Sequence, residues 1–156
     1  MDRTRLAGAL LAVAVASTAV ACGDAAEPMS GPAPAPTPSS PPTEVLSPLL
    51  REALPGVAGK TFTSAIVDFP PAARAVPHRH GDAFVYAYVL DGTLRSKLAG
   101  QPARTYRQGQ DWVEQPGAHH LLTENVSTTA PARLLVIFVS TTGDELKVDD
   151  PAPTPR

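Results

Sequence analysis

The sequence predicts a small all-β sandwich or barrel, and three observations carry that prediction. From Lys60 to Ser140, short segments rich in Val, Ile, Thr, Phe and Tyr recur at close intervals. Turn signals punctuate them at Pro70-Pro71, Asp91-Gly92, Gly100-Gln101-Pro102, Gln108-Gly109, Pro116-Gly117 and Ala130-Pro131. No long helical period intervenes between these turns, and strands that follow one another at this spacing must bury their faces against each other.

Taken in order, the chain opens with an export signal over residues 1–21. Arg3 and Arg5 form a positive start, Leu6 to Val20 is almost wholly apolar, and Ala19-Val20-Ala21 offers small residues for cleavage. Cleavage there leaves Cys22 as the first mature residue, and Ala19-Val20-Ala21-Cys22 resembles a bacterial lipobox with Ala19 in place of the usual Leu. The resemblance implies a lipidated Cys22 and an exported protein held at a membrane surface without spanning it. As the only cysteine, Cys22 also excludes an intramolecular disulfide and any cysteine-built zinc site. Residues 22–43 alternate Pro, Ala and Ser, cannot bury apolar area, and read as an extended linker.

The domain is expected over residues 44–142. Ser47 as N-cap, Pro48 at the first helical position and the Pro55-Gly56 stop predict a short helix through Leu54. Strands are predicted at 61–69, 84–90, 93–98, 103–106, 111–114, 119–123 and 133–140. The last, Arg-Leu-Leu-Val-Ile-Phe-Val-Ser, is continuously apolar and reads as a central strand covered on both faces. Residues 143–156 are acidic and then proline-rich, which predicts a flexible tail. A net charge of −2 over 156 residues leaves no basic patch, so nucleic acid is excluded as an expected partner.

The chemistry concentrates in the histidines. All 4 fall in two pairs, His78/His80 and His119/His120. On an extended segment, side chains at i and i+2 share a face, so His78 and His80 can grip one divalent ion together. The second pair follows a Gln-Pro-Gly turn and opens a strand, and adjacent residues there face opposite ways, so only one of that pair points inward.

These two stretches, HRHGDAFVYAYVLDG and GQDWVEQPGAHHLLTEN, resemble the two motifs of the cupins, small barrels of the double-stranded β-helix or jelly-roll type. With Gly92, Gly109 and Gly117 fixing the register, the resemblance assigns His78, His80 and His120 as metal ligands and puts His119 outside the ligand set. The glutamate of the first motif falls on Val85, which cannot bind metal, Gln115 replaces a proline of the second motif, and Asn125 comes one residue late. The resemblance also implies a homodimer formed through the sheets.

Three neutral imidazoles suit Fe, Mn, Ni, Cu or Zn and leave positions open for a small-molecule substrate. Cupins include dioxygenases, isomerases, decarboxylases and lyases, and the expectation preferred here is dioxygenase-like oxidoreductase chemistry. The alternatives are a cupin module that binds a ligand or metal without turnover, and a metal-free structural barrel. Glu114 stands close enough to the second motif to act as a carboxylate behind the ligands or as a general base, against the plainer reading of a solvated strand-end carboxylate. Tyr86 and Tyr88 are expected to face away from the metal, Trp112 to join the core, and Arg79 to point outward.

Overall fold

A computed structural model describes residues 42–152, so the expected signal segment, Cys22 and nearly all of the proline-rich linker lie outside the described residues. Ten strands run through the described part: β1 (Val45–Ala53), β2 (Lys60–Phe69), β3 (His78–Arg79), β4 (Phe84–Asp91), β5 (Thr93–Leu98), β6 (Arg104–Arg107), β7 (Asp111–Glu114), β8 (His119–Asn125), β9 (Ala132–Thr141) and β10 (Val148–Asp149). They form two antiparallel sheets with the order β1-β2-β9-β4-β7 and β10-β3-β8-β5-β6. The neighbours within each sheet are mostly distant in sequence, as a jelly roll requires, and the turn signals named above fall between strands, save that Asp91 is the last residue of β4.

Alternation decides which residues enter the interior. On β2, Ala65, Val67 and Phe69 are buried while Phe62, Ser64 and Ile66 are half-exposed. On β4 the buried set is Val85, Ala87 and Val89, and on β9 it is Leu134, Val136 and Phe138. Full burial of a side chain such as Phe69 or Phe138 contributes roughly 2–3 kcal/mol. Gly92 closes the β4–β5 turn at a φ of 77°. A Cβ there would lie 2.7 Å from the Cβ of Ala132, so both the backbone angle and the close approach require glycine.

Three expectations are corrected. Residues 45–53 form strand β1 and no helix, paired to β2 from Val45↔Asp68 to Ala53↔Thr61. The local helix signals lose because β2 otherwise ends the sheet with a row of unpaired backbone groups, which a strand satisfies and a helix does not. Pro48 is tolerated because it sits at the irregularity between Pro48 and Leu50 on an edge strand. Within the expected flexible tail, residues 148–149 instead form β10, which pairs Val148 to Arg79 and Asp149 to His78. Finally, β9 is central in its sheet but covered on one face only, since Leu135, Ile137 and Val139 are half-exposed.

Candidate metal centre

Strand pairing, more than spacing along the chain, assembles the histidines. In the β3–β8 ladder His78 lies directly opposite His120, and Arg79 opposite His119. Directly opposed residues project from the same face, so His78 and His120 both enter the interior. His80, just past β3, turns to the same side as His78. The ring centroids of His78 and His80 are 4.8 Å apart, and those of His78 and His120 are 5.0 Å apart. All three residues are buried, and one ring nitrogen from each lies within 4.8 Å of the others.

Two of the rings are oriented by backbone carbonyls. His78 Nδ1 donates to the Val76 carbonyl oxygen at 2.6 Å, and His80 Nδ1 donates to the Leu146 carbonyl oxygen. A neutral imidazole that donates through Nδ1 carries its lone pair on Nε2, so both rings present an acceptor to the interior. Burial keeps them neutral. It lowers the pKa of His78 to about 4 and lowers that of His80 as well, although Glu114 pulls the latter in the opposite direction. Metal binding therefore meets little competition from protons near neutral pH. His120 Nε2 accepts from the hydroxyls of Ser96 at 2.8 Å and Thr123 at 2.7 Å, donors that can rotate away when a stronger partner takes the lone pair.

The fourth polar group is Glu114. It is only 2% exposed, so the reading of a solvated strand-end carboxylate is overturned. Its Oε1 lies 3.0 Å from His120 Nδ1 and accepts from Trp112 Nε1 at 3.1 Å. Its Oε2 lies 3.7 Å from His80 Nε2 and has no hydrogen-bond partner. Burial alone would raise this carboxyl, but the contact with His120, followed by His80 and Trp112, outweighs it and holds the pKa below the usual carboxylate value. The site thus contains one buried carboxylate beside three imidazoles, a donor set that fits a divalent transition metal.

A narrow cleft, part of it open to solvent, leads to these groups. Its walls are apolar, with Val67, Val85, Val136 and Phe138 facing the histidines. The Phe138 ring lies 5.3 Å from that of His80. At the rim, Lys147 bridges Glu44 and Asp149, both at 2.7 Å, and thereby joins the segment before β1 to the C-terminal segment. Apolar walls around a few converging polar groups are the usual make-up of a small-molecule site.

The outward residues behave as alternation requires. Arg79 is exposed and its Nη2 donates to His119 Nδ1 at 2.9 Å, while His119 Nε2 meets Asp150 at 2.7 Å, so His119 stands outside the metal cluster. Tyr86 and Tyr88 lie on the outer face, opposite to buried Val85 and Ala87. Trp112 is buried against Tyr106 and also borders the cleft. Sequence reasoning missed Leu146, Ser96 and Thr123. Ser96 and Thr123 had a usable signal, since each is a hydroxyl residue on an inward strand position. The Leu146 contribution had none, because a backbone carbonyl is silent in sequence.

Residues 65–138 match the family model of the cupin domain. No curated protein sequence matches the chain. Among solved structures, an oxalate oxidase in complex with the substrate analogue glycolate is similar at 26% identity, with a TM-score of 0.52 over 65% of this chain and 53% of that one. This chain therefore spans about half the length of that oxidase. A DMSP lyase from Ruegeria pomeroyi DSS-3 is similar at 19% identity and a TM-score of 0.55, over 68% of this chain and 51% of that one. An uncharacterised double-stranded β-helix protein from Klebsiella pneumoniae subsp. pneumoniae MGH 78578 is similar at 14% identity and a TM-score of 0.54, over 69% of this chain and 85% of that one. The last two likenesses concern the fold alone.

Proposed function

We propose that this cupin-fold domain is a metal-dependent enzyme acting on a small organic molecule, with oxidoreductase chemistry preferred. The observation that carries the proposal is the convergence of His78, His80 and His120 at the bottom of an apolar cleft, with two of the rings locked by backbone carbonyls so that Nε2 faces inward. Structural histidines are normally satisfied on both nitrogens, whereas these two each carry an inward lone pair with no hydrogen-bond donor. A divalent transition metal bound there supplies Lewis-acid polarisation of an oxygen-bearing substrate or, if redox-active, one-electron chemistry with O₂. The chain's own residues hold the ion, exclude bulk water through the walls of Val67, Val136 and Phe138, and keep Glu114 ionised beside the ligands. The similarity to an oxalate oxidase at 26% identity supports the preference for oxidation of a small oxygenated molecule over a lyase reaction.

Two further assignments belong to the same proposal. The apolar start of the chain and the placement of Cys22 at the expected cleavage point support export and a lipid anchor at a membrane surface. The half-exposed outer face built by Phe62, Ile66, Tyr86, Tyr88, Leu135 and Ile137 supports a homodimer packed through this sheet.

Metal analysis of the purified protein tests the core of the proposal. About one equivalent of transition metal is expected, lost in His120→Ala, and O₂ consumption with members of a panel of small hydroxy acids, phenols, diketones and thiols. A protein without stoichiometric metal sinks the enzyme reading. Stoichiometric metal with no turnover on any substrate class points instead to a binding or sensing module.

A further inference from the structure

We propose that Glu114 is the carboxylate ligand of the metal centre, delivered from β7 in place of the glutamate that the first motif puts on β4. The inference rests on the three-histidine site proposed above and goes beyond it by adding a negatively charged fourth ligand. The motif position on β4 is Val85, and in the β4–β7 ladder Val85 lies directly opposite Glu114. Opposed residues in an antiparallel pair project from one face with their Cβ atoms about 5 Å apart. A carboxylate moved from one to the other therefore enters the same cavity from the adjacent strand. Both residues line the cleft.

The polar atoms around Glu114 are arranged for a cation. Oε1 is satisfied by Trp112 Nε1 and His120 Nδ1, which fixes the plane of the carboxylate. Oε2 is buried, has no donor, and faces His80 Nε2 at 3.7 Å. That separation is too long for a hydrogen bond. Because His80 donates its Nδ1 proton to the Leu146 carbonyl, its Nε2 is itself an acceptor. Two acceptors thus face each other across a buried gap, and leaving a buried polar oxygen without a partner is costly. A divalent cation between them resolves both deficits at once. A general base positioned behind the ligands would explain the burial of Glu114 beside His120 but not the orientation of its free oxygen toward a histidine lone pair.

The test uses the full chain loaded with Co(II), whose visible ligand-field spectrum reports the ligands directly. Three proteins are compared: wild type, Glu114→Leu, and the double swap Val85→Glu/Glu114→Val. The expected result is a roughly 100-fold weaker Co(II) affinity in Glu114→Leu, together with a changed spectrum. The swap returns the carboxylate to the cavity from β4 and is expected to recover most of the affinity. Unchanged affinity in Glu114→Leu overturns the inference, and so does weakened affinity with an unchanged spectrum, which marks a positioning role. If Glu114→Leu fails to fold, the swap decides alone: tight Co(II) binding supports ligation and loss of binding overturns it. Wild-type protein that binds no Co(II), judged apart from these outcomes, removes the three-histidine reading itself.

Discussion

His80 and Leu146 stand 66 positions apart, yet the backbone carbonyl of Leu146 accepts the Nδ1 proton of His80 and so decides which ring nitrogen faces the cleft. The contact belongs to a short strap that includes β10, the Lys147 bridge to Glu44, and an Asp150 amide that donates to the Pro77 carbonyl. A ring that would otherwise rotate and exchange tautomers is held in one orientation by a segment outside both histidine motifs.

Removal of residues 144–156 is expected to weaken metal affinity by about 10-fold or more, because the Nδ1 anchor of His80 is lost. Calorimetric titration of the truncated and complete chains with the same metal checks this. Equal affinities would mean that the strap does not orient His80.

The metal-free domain is expected to lose stability as pH falls from about 6.5 to about 4. The pKa of His78 is lowered from 6.5 to about 4 by burial, so across that window the unfolded chain binds a proton that the folded chain does not. Stability then rises with pH and levels off above 6.5, with a contribution on the order of 2–3 kcal/mol from this residue. His80 adds a shift of the same sign. Urea unfolding of chelated protein at several pH values measures the slope, and His78→Gln should flatten it.

Gly92→Ala is expected to destabilise the domain by about 2–3 kcal/mol. The new Cβ meets both the Cβ of Ala132 at 2.7 Å and the Pro131 carbonyl oxygen at 2.9 Å, at a φ that side-chain-bearing residues avoid. Thermal unfolding reads the effect directly. A variant as stable as wild type would show that the β4–β5 turn shifts freely.

Asn125→Ala is expected to cost about 2–4 kcal/mol without changing metal stoichiometry. The Asn125 Nδ2 group donates to the carbonyls of Phe69, Pro70 and Ala130, and its Oδ1 accepts from the Ser127 amide. These bonds fasten the end of β8 to the loops after β2 and before β9, away from the histidines. Paired measurements of unfolding free energy and bound metal separate this structural role from one in the site.

Much of the fold was legible because its signals are local. The turn residues are individually committed to chain reversal, and on β4 the motif register put Tyr86 and Tyr88 on the face opposite Val85 and Ala87, as observed. The segment 45–53 misled because its short-range preferences are helical while its fate is set by the open edge of β2. The central strand β9 misled in another way. A run of apolar residues reads as covered on both faces, but Leu135, Ile137 and Val139 lie on a face left half-exposed in the single chain.

The site divides along the same line. The sequence by itself determined that His78 and His80 share a face, since i and i+2 on an extended backbone must do so. It also required one of His119 and His120 to point inward, and the motif resemblance picked His120. Only the tertiary structure decided that His120 stands opposite His78, that Leu146 fixes the ring of His80, and that Glu114 enters the cavity opposite Val85. The physical reason is that strand register is a property of two segments at once. It depends on which backbones pair and which faces bury together, and neither is encoded in either segment alone.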